Sequence, residues 1–185
     1  SGTIWMDGKK TSPYAFYQFW LNTADADVYN YLKYFTFLSP AEIEEIQRSD
    51  EAAAARPEAQ GILAKSVTEL VHGNTGLEAA SRISQALFSG DIASLTDDDL
   101  QQLELDGLPC STVEKGAEGI IEVLVATDLA KSNKMAREFI GNNAVSVNGQ
   151  TVESQDLTLS ADNALSGKYF VLKRGKKLFH LAKLS

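Results

Sequence analysis

Apolar residues recur at three- and four-residue spacing through most of the first hundred positions and then alternate briefly at Val145 and Val147, so the chain predicts a helical front and a mixed back. Thr11-Ser12-Pro13 supplies a cap and a proline for the first helical position. Tyr14-Ala15-Phe16-Tyr17-Gln18-Phe19-Trp20-Leu21 comes next, an aromatic-rich helix whose density predicts burial rather than base stacking. Asn22-Thr23-Ala24-Asp25 is expected to break it and cap the next helix, where Val28, Tyr31, Leu32 and Phe35 share a face. Ser39 and Glu42 stand at capping-box spacing and open a third helix. Past an Ala-rich, exposed stretch from Glu51 to Arg56, Pro57 opens a helix carrying Ile62, Leu63, Val67, Leu70 and Val71 and stopping at His72-Gly73-Asn74, with His72 read as a dipole-compensating cap. Thr75 and Glu78 start another, through Ile83 and Leu87 to Gly90. The acidic run Asp97-Asp98-Asp99 suits the N-terminus of a short helix from Thr96 to Leu103. Asp106-Gly107-Leu108-Pro109 is the expected linker.

Beyond it, Val113, Ala117, Ile120, Ile121, Leu124 and Val125 predict a one-sided amphipathic helix ending near Thr127-Asp128. Ser132 caps a second helix with Lys134 and Arg137 on one face and Met135, Ala136, Phe139 and Ile140 on the buried side. Val145 and Val147 then form a strand closed by Asn148-Gly149, the strongest short hairpin signal. Tyr169-Phe170-Val171-Leu172 and Leu178-Phe179-His180-Leu181-Ala182 flank the basic turn Lys173-Arg174-Gly175-Lys176-Lys177 and predict a second hairpin, with His180 as a packing residue. The fold class expected is therefore a mainly α N-terminal domain over residues 1–108, its first ten residues a link, followed by a small α+β domain over 109–185 with helices packed on short antiparallel hairpins.

Charge sharpens this division. The net charge of −8 argues against nucleic acid as a partner, but it is unevenly spread. Residues 1–110 carry 7 Lys/Arg and 17 Asp/Glu, whereas residues 129–185 carry 9 Lys/Arg and 4 Asp/Glu, so a polyanion would be gripped by the C-terminal part. A single cysteine, Cys110, excludes an internal disulfide framework, and two distant histidines make a zinc site unexpected. No apolar run reaches the ~20 residues of a membrane span and no secretory signal opens the chain, so a cytoplasmic protein with no membrane partner is expected.

The succession of Ser132 cap, basic pair, apolar pair, Asn142-Asn143 exit and Val145-Ser146-Val147-Asn148-Gly149 strand resembles the RNA-binding fold named after the fourth protein of the small ribosomal subunit. Read with the front of the chain, the resemblance widens. Ser1-Gly2-Thr3-Ile4-Trp5, Lys9-Lys10-Thr11-Ser12-Pro13-Tyr14, Phe16-Tyr17-Gln18-Phe19-Trp20, Asn22-Thr23-Ala24-Asp25-Ala26-Asp27-Val28, Leu70-Val71-His72-Gly73 and Lys173-Arg174-Gly175-Lys176-Lys177 are similar to the C-terminal portion of bacterial tyrosyl-tRNA synthetases. That family's nucleotide-binding catalytic domain has no counterpart here, and no Gly-rich phosphate loop, Ser/His/Asp set or paired-carboxylate motif is recognisable. The chain alone is accordingly expected to catalyse nothing and to need no cofactor. ATP and magnesium would serve the full-length class I ligase, whose homodimer contact would lie in the catalytic domain.

The resemblance implies an anticodon-binding helical domain and an RNA-binding domain that grips the anticodon stem and long variable arm of tyrosine tRNA. It implies a helix-start aspartate that reads the wobble guanine, Asp25 first and Asp27 second, although Asp25 also suits a simple cap. Lys131, Ser132, Lys134 and Arg137 would meet phosphates, with Asn142, Asn143 and Asn148 facing sugar or base edges. Lys173, Arg174, Lys176 and Lys177 would form a second phosphate set, against ordinary turn solubility. Two other functions fit parts of the sequence: a free-standing RNA-binding adaptor, and an acidic helical protein-interaction module.

Overall fold

Capping chemistry sets where the first helices begin. The computed structural model describes residues 3–53 and 57–185, and Ser1-Gly2 and the end of the Ala-rich stretch, 54–56, lie outside them. The chain divides into two compact units, Ser1–Ser81 and Arg82–Ser185. In the first, Ser12 Oγ accepts from the Ala15 N–H at 3.0 Å and starts α1 (Pro13–Leu21). The Ser39–Glu42 capping box opens α3 (Pro40–Ala52), after α2 (Asp25–Phe35). Asp50, near the end of α3, caps α4 (Ala59–Ser89) across space: its carboxylate accepts from the Glu58 N–H at 2.7 Å, the Ala59 N–H at 3.2 Å and the Tyr29 hydroxyl at 2.9 Å. Burial and the neighbouring Asp50 push the Tyr29 phenol up to about 12. Phe16, Val28, Leu32, Ile43, Leu63 and Val67 form the core these helices share.

Several local expectations change here. The cap position of α2 is Ala24, which has no side chain to offer, and Asp25 is the first helical residue rather than a cap. The aromatic helix is only partly buried, because Phe19 is 49% exposed. Gly73 breaks the helical path as its sequence predicts, with φ +69° inside α4. His72 beside it packs its ring edge-on against Phe16 at 4.8 Å, and burial lowers its pKa, which disfavours the charged form that a dipole-compensating cap needs.

The second unit is built on one five-stranded sheet in the order β1-β5-β4-β2-β3. Its strands are β1 (Cys110–Val113), β2 (Val145–Val147), β3 (Gln150–Thr151), β4 (Tyr169–Arg174) and β5 (Leu178–Leu184), with α5 (Asp97–Gln102), α6 (Ile120–Ala126) and α7 (Asn133–Gly141). Three pairings are antiparallel as expected, but β1 runs parallel to β5, from Cys110 opposite Leu181 to Val113 opposite Leu184. The amphipathic helix expected from Val113 therefore starts only at Ile120, because Cys110–Val113 is a strand and Gly116, at φ +90°, interrupts the segment between the two. Ile120, Leu124, Ala136 and Ile140 of the two helices join Val145, Val147, Phe170 and Leu172 of the sheet in a single core.

The residues before the expected linker are fastened to this sheet. Glu104 receives Lys183 Nζ at 2.6 Å and the Tyr169 hydroxyl, and Ser166 donates to Asp97, while Leu100 and Leu103 are buried. The boundary between the compact units accordingly falls at Ser81/Arg82, inside α4, and Asp106-Gly107-Leu108-Pro109 continues a π-helical turn (Leu103–Gly107) into β1. Among the described residues no helix is long and apolar enough to cross a membrane.

Asp99 carries a prediction. Its side chain is fully buried, takes Arg82 Nε at 2.7 Å and Nη2 at 2.8 Å, and closes a capping box with Thr96. Burial alone would raise the carboxyl, but the Arg82 guanidinium and the Thr96 N–H outweigh it and hold the pKa below the usual carboxylate range. A depressed folded-state pKa means stability that is complete above the unfolded value of about 4 and is lost as pH falls through the folded one. Arg82→Ala should therefore cost about 2 kcal/mol in urea unfolding at pH 7 and much less at pH 3; an equal cost at both would contradict the ion pair.

Candidate nucleic-acid interface

The outward face of α7 is set by what its other face buries. Ala136 and Ile140 are sealed in the core, and Lys134 and Arg137, three positions apart and so about 60° apart around the helix, project on the exposed side. Ser132 Oγ accepts from the Met135 N–H at 3.2 Å, as its cap role predicts. Met135 departs from expectation: it is 37% exposed on the outer surface, and Phe139 is only partly buried. Lys131 makes an exposed pair with Asp128 at 3.1 Å, a contact that solvent screening keeps weak and exchangeable.

The second basic set meets the far end of the same helix. The Gly175 N–H donates to the Ala144 carbonyl at 2.8 Å, tying the β4–β5 turn to the exit of α7 beside Asn142 and Asn143. Arg174 lies over the Phe139 ring, 4.9 Å to its centre, and its Nε is buried with no partner among the described residues. Lys173 lies 5.1 Å over the Phe179 ring, whereas Lys176 and Lys177 are exposed at the tip. Two cations of this turn are thus held on aromatic faces and two are free. Because Phe139 and Arg137 lie about 160° apart on the helix, Arg174 and the Lys134/Arg137 pair occupy opposite flanks of α7.

The three asparagines separate in role. Asn142 forms the C-terminal cap of α7 and Asn143 adopts φ +53°, both side chains exposed. Asn148 is engaged internally: its Oδ1 accepts from the Val171 N–H at 2.9 Å and its Nδ2 donates to the Asn163 carbonyl at 3.3 Å. The adjoining Gly149, at φ +81°, has no room for a side chain, since a Cβ there would lie 2.1 Å from the Gly90 carbonyl oxygen. The hairpin tip is a packed corner.

In the helical unit the two aspartates diverge. Asp25 Oδ1 accepts from Gln60 Nε2 at 2.6 Å, which ties it to α4. Asp27 instead lines an open cleft of about 470 Å³ with Gln18, Phe19, Asn22 and Tyr31. Phe19 and Tyr31 line this cleft although aromatic density in the sequence predicts burial: each packs edge-on against Trp20 on one side and is exposed on the other. Among the described residues no group of three or more His, Cys, Asp or Glu could hold a metal ion.

Comparison with known proteins accounts for nearly the whole chain. A family model of class I tRNA synthetases of the tryptophan and tyrosine type matches residues 1–89, and one described as the SYY-like C-terminal domain of tyrosine–tRNA ligase matches residues 99–182. The tyrosine–tRNA ligase of Aliivibrio fischeri is 62% identical over 181 residues, which is 98% of this chain and 42% of the relative. That of Chromobacterium violaceum is 56% identical over 98% of this chain and 43% of its own length. A solution structure of a tyrosyl-tRNA synthetase C-terminal domain is 37% identical, matching 54% of this chain and all of that one with a TM-score of 0.43. The chain spans about two-fifths of the length of these curated relatives. Its two matched segments and its identity to the ligases agree on one assignment: the chain belongs to the tyrosyl-tRNA synthetase family and corresponds to the C-terminal part of its members.

Proposed function

We propose that the chain is the tRNA-binding part of a tyrosine–tRNA ligase and that α7 with the β4–β5 turn grips phosphates of tyrosine tRNA. The observation that carries this reading is the basic surface around α7, on a chain whose total charge is −8: Lys134 and Arg137 on one flank, Arg174 on the other, and Lys176 and Lys177 at the turn. Family membership supports tRNA as the polyanion. The full-length ligase would use ATP and magnesium to join tyrosine to its tRNA in the cytoplasm, as a homodimer formed through its catalytic domain. In this reading the contribution of the chain is to position the tRNA.

Two refinements come from the geometry. Asp27 is favoured over Asp25 as the reader of the wobble guanine, because it lines the Phe19/Tyr31 cleft while Asp25 is tied to Gln60. Asn148 is better suited to locking the hairpin than to touching RNA, which leaves Asn142 and Asn143 for sugar or base edges.

Neutralising Lys134→Gln and Arg137→Gln together should leave the fold intact, since exposed substitutions change stability by about ±0.5 kcal/mol, yet lower tRNA affinity. The slope of log affinity against log salt should become shallower by about 1.5, the worth of two phosphate contacts. Binding to tRNA lacking its variable arm should bring mutant and wild type together; equal losses on both RNAs would place the helix elsewhere on the tRNA, and no loss would make it a solvated face.

Asp27→Asn should relax discrimination between guanine and other wobble bases by about 1–3 kcal/mol, and Asp25→Asn by much less. Anticodon variants measured with both proteins decide this: a loss that tracks with Asp25 would reverse the assignment. The 185-residue chain alone should support no tyrosine-dependent ATP–pyrophosphate exchange, and exchange above background would contradict a purely tRNA-positioning role.

A further inference from the structure

Arg174 carries more donors than the fold uses. Its side chain is half-buried on the Phe139 ring, with Cζ 4.9 Å from the ring centre, and makes no hydrogen bond or ion pair among the described residues. Withdrawing a charge from water without a partner costs free energy, and idle N–H donors on a guanidinium point to a ligand. An anion is held well side-on through Nε and Nη2, as Arg82 holds the Asp99 carboxylate at 2.7 and 2.8 Å. Arg174 lacks that fork, because its Nε is buried. What it can offer is the side of its plane away from Phe139, where a flat π system stacks.

The surroundings suit a base better than a second phosphate. The ladder sets Arg174 opposite Val145 of β2 and Leu178 of β5, so the three share the sheet face against which α7 packs. Leu178 is 46% exposed and supplies an apolar edge. The Gly175 N–H bond to the Ala144 carbonyl, at 2.8 Å, keeps the exposed Asn142 and Asn143 beside the turn, and each amide has both a donor and an acceptor for a base edge. These asparagines leave the C-terminal end of α7, the negative end of the helix dipole, which disfavours a phosphate but not a neutral base. Lys176 and Lys177 follow in the same turn, exposed for flanking phosphates. We infer that Arg174, backed by Phe139, stacks an unpaired base of the bound RNA, an inference that rests on the tRNA-binding reading above.

Two single strands of equal charge test it on the whole chain: octaadenylate, and the same ribose-phosphate backbone without bases. The wild type should bind octaadenylate about tenfold more tightly than the abasic strand, and the Phe139 ring signals in NMR should move with octaadenylate only. Arg174→Lys keeps the charge and loses the plane, so it should bring the two affinities together while the slope against salt stays the same. Phe139→Leu keeps an apolar side chain and removes the backing ring, and it should narrow the difference as well. Equal wild-type affinities, Phe139 signals that move alike with both strands, or an Arg174→Lys protein that loses equally on both would overturn the stacked base and leave Arg174 as a phosphate contact. Tyrosine tRNA titrated into the same wild-type sample separates the two claims: tRNA bound with the Phe139 signals unmoved overturns the stacked base alone, and no tRNA binding at all overturns the reading on which it rests.

Discussion

Burial of Ala136 and Ile140 against Val145, Val147 and the inner face of the sheet is the constraint on which the basic surface depends. A nine-residue helix is too short to hold itself in water, so α7 exists because this face is in the core. Once it is, the helical period leaves Lys134 and Arg137 no direction except outward. The strand that supplies the other half of the contact is held by a polar lock: Asn148 joins its end to Val171 of β4 and to Asn163, and Gly149 lets the turn close on Gly90. Packing, turn chemistry and charge placement are therefore one arrangement.

The same economy of anchoring appears in the basic turn. Lys173 and Arg174 lie over the rings of Phe179 and Phe139, which limits their freedom. Ordering a long side chain in advance lowers the entropic cost of binding. Lys176 and Lys177 are exposed at the tip, and in the proposed function they would supply attraction at a distance, of a kind that salt weakens. The acidic remainder of the chain adds a selective element, since a polyanion is repelled except where these cations collect.

Much of this was legible in the sequence where the signal is local. Ser12-Pro13, Ser39 with Glu42, the Ser132 cap, the break at Gly73 and the Asn148-Gly149 turn are all contained within a few residues, and each forms as read. What depends on distant partners was not. The parallel pairing of Cys110–Val113 with β5 joins segments some seventy positions apart, so helical periodicity from Val113 onward misled. The fastening of Glu104 to Tyr169 and Lys183 is equally invisible to composition, which marked a linker just beyond it. In the candidate site, the cationic residues were readable from charge and helical spacing, but the inward use of Asn148, the Gln60 tie on Asp25 and the exposure of Phe19 arise from tertiary contacts alone.

Lysine acetylation with mass-spectrometric readout, with and without saturating tyrosine tRNA, tests the central claim most directly, because every lysine reports on its own surface. The account predicts protection of Lys131, Lys134, Lys176 and Lys177, with exposed Lys33, Lys65 and Lys115 serving as unprotected controls in the same sample. Protection spread evenly over both groups, or confined to Lys33 and Lys65, would contradict a tRNA interface built on α7 and the β4–β5 turn.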